Sequence, residues 1–245
     1  MHSDTGSSDT RTREEGIEFN GFNTIENNLK LIERSAPTPS EKEITENVPF
    51  LQGSYDFSNI LGERIYNNRS LRYVFHVYER DYDRRKHGQT VIENKLMGIH
   101  ITNLYDTHDP NYSYRGKCVS VETDDDHRNG RLVISLEFDC YPFKISRFPE
   151  GHGIWDKFNF ELDDSQQTEF EINGTETVTL LNNGTVSVVP TISTDSEFEI
   201  QKGNTHITVQ SGTYRSEKLR LDTGGNILSI TGNGSIKFDF YKELI

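Results

Sequence analysis

Cysteine, tryptophan and methionine are almost absent from these 245 residues, which contain two, one and two of them respectively. Two cysteines, Cys118 and Cys140, make no disulfide framework and no zinc pattern with the histidines. Apolar residues are also scarce. At 32% they fall short, even with the 19 glycines added to give about 40%, of the roughly 45–50% usual for a self-contained globular chain. No apolar run approaches the ~20 residues of a membrane span. Positive charge is in short supply too, with 26 Lys and Arg against 39 Asp and Glu for a net charge of −13. Binding to phosphates needs a basic patch that releases counterions, so specific nucleic-acid binding and anionic membrane surfaces are both excluded as partners. The acidity is uneven: up to about Phe148 there are 19 basic and 24 acidic residues, and beyond it 7 and 15.

What is abundant is aromatic area, with 14 Phe and 11 Tyr that each bury much surface. A core is therefore expected, but a lean one, of the kind completed against neighbouring subunits. Met1 to Glu15 carries no apolar residue after Met1 and no signal-peptide pattern, and reads as a mobile tail. The sequons at Asn68, Asn111, Asn173 and Asn183 then carry no meaning, since they matter only on secretion.

From Gly16 onward short alternating segments predominate. Ile17–Phe22 and Asn28–Ile32 read as strands around a turn at Asn23 to Asn27. Pro37 and Pro39 remove ladder donors and restrict the residues before them, so Ala36 to Val48 reads as an extended arm. Leu71–Tyr78 is the clearest strand, with Leu71, Tyr73, Phe75 and Val77 on one face. One helix is expected over Thr90 to Gly98, where Val91, Ile92, Lys95, Leu96 and Ile99 form a stripe. Asn129-Gly130 signals a two-residue type I′ hairpin. Its register pairs Val121 with Phe138 and Val119 with Cys140, places Leu132, Ile134 and Leu136 on the same face, and turns Cys118 to the other face as a free thiol. After Phe148, Asn/Gly turns at 182–184, 202–204, 223–226 and 231–234 separate short strands. Phe198, Ile200, Ile207, Val209, Leu219, Leu221, Ile236, Phe238 and Phe240 face inward. The fold class expected is mostly β, in three parts: the tail at 1–15, a β-sandwich-like domain with one helix and an arm at 16–148, and a β-sandwich at 149–245.

Catalytic patterns fail one by one. Asp124-Asp-Asp-His127 lacks the alternation and central Gly of a calcium loop and reads as a solvated hairpin tip. Asp163, Asp164, Glu169 and Glu171 read as surface charge rather than a glycosidase pair. There is no G-x-S-x-G nucleophile elbow, and the Gly-rich strings lack the Lys and the strand-to-helix context of a phosphate loop. The basic triplet Arg84-Arg85-Lys86 reads as a solvated flank. The chain is expected not to be an enzyme, with no metal site and no cofactor. The alternative is a carbohydrate-binding module contacting host cell-wall polysaccharide, with Trp155 the one candidate ring for stacking on a sugar.

One segment goes further. Val48-Pro-Phe-Leu-Gln-Gly-Ser-Tyr-Asp-Phe-Ser-Asn59 is followed by Gly62-Glu63, Tyr66, Arg69 and the strand Leu71–Tyr78. Together with Glu18-Phe-Asn-Gly21, Tyr112–Cys118 and Leu136–Lys144, it resembles the N-terminal region of distal tail proteins of long-tailed bacteriophages. Gly225–Gly232 and Ile236–Phe240 are similar to the close of that family's C-terminal galectin-like β-sandwich. The resemblance implies a virion protein, synthesised in the bacterial host cytoplasm, that forms a homohexameric ring at the tail tip. Its partners would be the tail tube protein, the tail-associated baseplate hub protein and a receptor-binding protein for host adhesion. DNA would pass through the lumen, repelled by acidic side chains if these face it. The subunit contacts expected are the arm, through Pro37, Pro39 and Val48, and the segment Tyr55, Asp56 and Phe57.

Overall fold

The computed structural model describes residues 14–47, 49–50, 52–58, 60, 62–151 and 166–245. Nearly all of the tail expected at 1–15 lies outside these residues, as do Val48 and Trp155.

In chain order the first part comprises β1 (Ile17–Phe19), β2 (Phe22–Asn23), β3 (Lys30–Ser35), β4 (Thr45–Glu46), β5 (Tyr55–Asp56), β6 (Arg69–Tyr78), α1 (Tyr82–Met97), β7 (Thr102–Asp106), β8 (Tyr112–Asp126) and β9 (Arg131–Ser146). Apart from β4 and β5, these strands form one antiparallel sheet in the order β2-β1-β7-β8-β9-β6-β3. Period-2 alternation puts Leu71, Tyr73 and Phe75 of β6 beside Leu132, Ile134, Leu136, Phe138 and Cys140 of β9, all buried. Helix α1 adds Ile92 and Leu96 to the same core.

Three expectations in this part are corrected. The two-residue type I′ turn is made by Asn20-Gly21, where both residues have positive φ (49° and 72°) and Phe19 pairs with Phe22. Asn129-Gly130 instead closes a four-residue loop between Asp126 and Arg131, so Val121 faces Leu136. A β-bulge between Cys118 and Ser120 then inverts the parity, and Cys118 faces Phe138. Cys118 therefore enters the same core as Cys140 while Val119 turns outward; both thiols are buried and free.

The helix is the third correction, because it begins at Tyr82, not Thr90. Asp81 caps it, its side chain accepting from the Arg84 N–H at 3.1 Å. Its first buried residue is Arg85, which apolar periodicity does not register. Arg85 is thus no solvated flank: its Nε donates to Asp125 Oδ1 at 2.6 Å and its Nη1 to the Glu79 and Arg80 carbonyls. The run at 124–127 does lie at the exposed hairpin tip, where Asp126 accepts from Arg131 and Asn129.

The second part comprises β10 (Glu169–Asn182), β11 (Thr191–Thr194), β12 (Phe198–Lys202), β13 (Thr205–Val209), β14 (Gly212–Arg215), β15 (Gly224–Asp239) and β16 (Glu243–Leu244). Strand β15 pairs from Gly224 to Lys237 with β10 on one side. On the other side it pairs first with β12 and then with β11. All the inward residues expected from the sequence are buried in one cluster.

The glycines at 231–234 make no turn. They lie inside β15 where it passes the tight link between β11 and β12. A Cβ on Gly232 would collide with the Phe198 ring and lie 2.8 Å from the Glu197 carbonyl, so the backbones can approach only without a side chain. Strand β16 leaves this sheet and pairs with β9, Glu243 opposite Ile145 and Leu244 opposite Lys144.

Candidate assembly interface

The arm expected from the prolines is a two-limbed ribbon running out from β3 and back to β6. Its outer rung pairs Thr45 with Asp56 and Glu46 with Tyr55. Nearer the root, the Lys42 N–H donates to the Ile65 carbonyl at 2.8 Å and the Asn67 N–H to the Ser40 carbonyl at 2.9 Å, with Glu41 bridging to Tyr66. Between these rungs the Ser58 hydroxyl accepts from the Ile44 N–H at 2.8 Å, and the Asp56 carboxylate accepts from the Ser58 N–H at 2.8 Å. Those hydrogen bonds from Ser58 hold the Asp56 carboxyl below its ordinary range.

Charged side chains clamp the root. Arg69, 5% exposed, donates through Nη2 and Nε to the Pro37 carbonyl at 2.7 and 3.1 Å, and through Nη1 to the Pro142 carbonyl. Its guanidinium lies 5.2 Å from the centre of the Tyr114 ring. Proline leaves its carbonyl free to accept, and the planar fork of arginine can hold two strands at once. On the outgoing side Arg34 of β3 donates to Asp106 at 2.6 Å and to Asp109 at 3.3 Å. Tyr73 donates to the same Asp106 oxygen at 2.9 Å, and Tyr114 to Asp109 at 2.6 Å. Burial and the neighbouring Asp106 carboxylate push the Tyr73 hydroxyl far above its usual range, so it stays a donor. Tyr66 meets Phe143 edge-on at 5.4 Å, packing the base of the returning limb on β9.

Beyond the root the ribbon has no core. Ile44, Phe50, Tyr55, Phe57 and Ile60 are all exposed, and Tyr55 and Phe57 stack on each other at 6.2 Å. Phe50 is wholly exposed and holds φ at +70°, a conformation that costs an L residue roughly 1–2 kcal/mol. Of the sequence-derived contact residues, Tyr55, Asp56 and Phe57 lie exposed on the returning limb, Pro37 is exposed at the root and Pro39 is buried there. Arg34 was not legible as functional, because arginine is ordinarily a surface residue, and Arg69 entered only through the resemblance, with no role assigned.

A groove separates the two sheets. One lobe, of about 620 Å³, is lined by Tyr105, Arg115 and Arg147 from the first part and by Val189, Arg215 and Tyr241 from the second. A second lobe of about 580 Å³ shares Arg115, Arg215 and Glu243 and reaches Asn68 at the arm root. A shallow polar depression beside β14 is lined by Ser193, Asp195, Thr213 and Lys237, with no aromatic ring among its described lining. Trp155, the ring proposed for sugar stacking, lies outside the described residues.

Among the described residues, a mostly β arrangement with two large sheets, one helix and a projecting ribbon has the fold of a phage hub protein. Among solved structures, the SPP1 Dit protein (gp 19.1), a paradigm of the hub adsorption apparatus in phages infecting Gram-positive hosts, matches with a TM-score of 0.64. The match covers 94% of this chain and 99% of that one at 14% sequence identity, a likeness that establishes the fold. No family model matches the chain, and no curated protein matches it in sequence.

Proposed function

We propose that this chain is a structural virion protein of a long-tailed phage, assembled as a hexameric ring where the tail tube meets the baseplate. The observation that carries this reading is the ribbon. It displays five large apolar side chains to water and is held out from the sheet by buried polar clamps. A monomer gains nothing by that arrangement, since scattered exposure is normal but a concentrated apolar projection marks an interaction site. In the ring each ribbon lies across the next subunit, and Tyr55, Phe57 and Phe50 become buried there. The whole-length likeness to a phage hub protein supports the same placement. The outward β units then present a surface for a receptor-binding protein, while the ring joins the tube protein to the tail-associated protein. If acidic side chains face the lumen, like-charge repulsion lets DNA pass without adhering.

Analytical ultracentrifugation of the purified full chain tests the reading. The expected species has six times the 28.2 kDa chain mass. A monomer at every concentration up to the millimolar range would contradict it.

A further inference from the structure

The final segment of the chain belongs to neither sheet unit alone. Strand β15 ends at Asp239 in the second unit, and within four residues β16 has joined β9 of the first. Around this short strand the backbone bonds alternate between the two units. The Lys242 carbonyl accepts from Ser146 of the first unit at 3.0 Å, and the Glu243 carbonyl from Thr185 of the second at 2.7 Å. The Phe240 carbonyl accepts from the Glu150 N–H at 2.9 Å, and the Lys242 ammonium, 1% exposed, lies 3.9 Å from the buried Glu150 carboxylate. A side chain on Gly184 would lie 3.0 Å from the Glu243 carbonyl, so the two backbones are in close contact.

We propose that residues Tyr241–Ile245 act as a latch fastening the second β unit to the first, and that the Glu243 carboxyl makes this latch sensitive to pH. The carboxyl is half-buried in the groove and accepts the Tyr141 hydroxyl of β9 at 2.9 Å. The cations facing it come from three separate elements: Arg115 of β8, Arg215 of β14 and Arg220 of the following loop. Tyr141, hydrogen-bonded to it, has its hydroxyl raised by burial and stays protonated. Arg220 is itself committed elsewhere, donating to the Ser187 hydroxyl and carbonyl and to Glu217.

Burial raises the Glu243 carboxyl above its ordinary range, and the hydroxyl and the three arginines only partly offset it. A raised folded pKa means that the latch is strongest with the carboxyl protonated. Its contribution is complete below the unfolded value, about 4.5, and declines as pH rises through the folded value. The latch is a property of the single chain and does not depend on ring formation.

Hydrogen exchange read by mass spectrometry tests it in the full chain. Deleting 241–245 should remove protection from the amides around Ser146 and Thr185 while the β6–β9 and β10–β15 ladders stay protected. Unchanged protection at both places would overturn the latch. If the deletion fails to fold, E243Q serves instead, because glutamine imitates the neutral carboxyl. E243Q should raise the Tm at pH 7, and the gain should vanish by pH 4. In the native chain, protection at Ser146 and Thr185, corrected for intrinsic exchange rates, should fall between pH 4 and 8, and in E243Q it should stay level. A Tm for E243Q at or below the native value at pH 7, or a level native profile, would refute the pH dependence.

Discussion

Within the sheet of β6, β8 and β9, apolar side chains meet apolar side chains, and the polar groups among them are paired. In the ribbon between Pro37 and Arg69 the reverse holds: among its described residues hydrogen bonds link the two limbs, while Ile44, Phe50, Tyr55, Phe57 and Ile60 stay exposed. The contrast separates two requirements that usually coincide. The sheet is stable because it buries area, at roughly 25 cal/mol per Å². The ribbon is held by hydrogen bonds of Arg69, Ser58 and Asn67, and its apolar area stays exposed in the single chain. The first region is a core, and the second is half of one.

The sharpest way to break this comparison is to excise the ribbon. Replacing residues 40–67 with a short Gly-Ser linker should abolish assembly completely while the Tm of the dispersed chain changes by only a few degrees, as sedimentation and calorimetry would show. Equal loss of fold and assembly would mean that the ribbon belongs to the core after all.

Single aromatic truncations come next. Phe138→Ala removes a ring packed edge-on against Phe19 at 5.1 Å and against Tyr73, and should cost about 3–5 kcal/mol in urea titrations. Phe57→Ala should leave monomer stability within about 0.5 kcal/mol yet weaken assembly measurably at low concentration. A similar effect of both on the monomer would erase the distinction.

Asp106→Asn tests the clamp on the outgoing side. The carboxylate is 1% exposed and holds Arg34 and Tyr73. Its loss should cost about 1–3 kcal/mol, less than for a fully enclosed pair because Arg34 remains a fifth exposed and still reaches Asp109.

The smallest effect concerns the thiols. Burial pushes Cys118 up to about 11 and Cys140 up to about 12. Since both folded values exceed the unfolded one, their contribution to stability is whole below about pH 9 and is lost only as pH climbs through 11 and 12. At pH 8 the native chain should react with neither thiol, and the denatured chain with both, in a colorimetric thiol titration.

Much of the sheet was legible because alternation is a local signal. The faces of β6 and β9 and the inward residues of the second unit follow from period 2 alone. The failures have specific causes. Asn20-Gly21 and Asn129-Gly130 look alike in sequence, and only the pairing of Phe19 with Phe22 decides which of them makes the tight turn. The bulge at Val119 leaves no mark in the local pattern, yet it reverses the direction of Cys118. Gly232 and Gly234 resemble a turn because the demand for a bare backbone comes from Phe198 and Asp195, distant in sequence. Helix α1 starts a full two turns early because its inward residue there is an arginine paired with Asp125. For the proposed assembly surface, the prolines mark the ribbon root, and Tyr55-Asp-Phe57 lies exposed on its returning limb. The guanidinium holding the root to Pro37 could not be read, since nothing local distinguishes Arg69 from a surface arginine.

Site-specific photo-crosslinking from Phe50 and Phe57 most directly tests the central claim that the ribbon's apolar side chains are covered by another copy of the chain. With a benzophenone amino acid at either position, irradiation of the purified protein should give crosslinks between copies, a ladder extending to the hexamer on a denaturing gel, with the linked residues on the first sheet unit of the neighbour. Products confined to single chains, at concentrations where the assembled species is present, would contradict it.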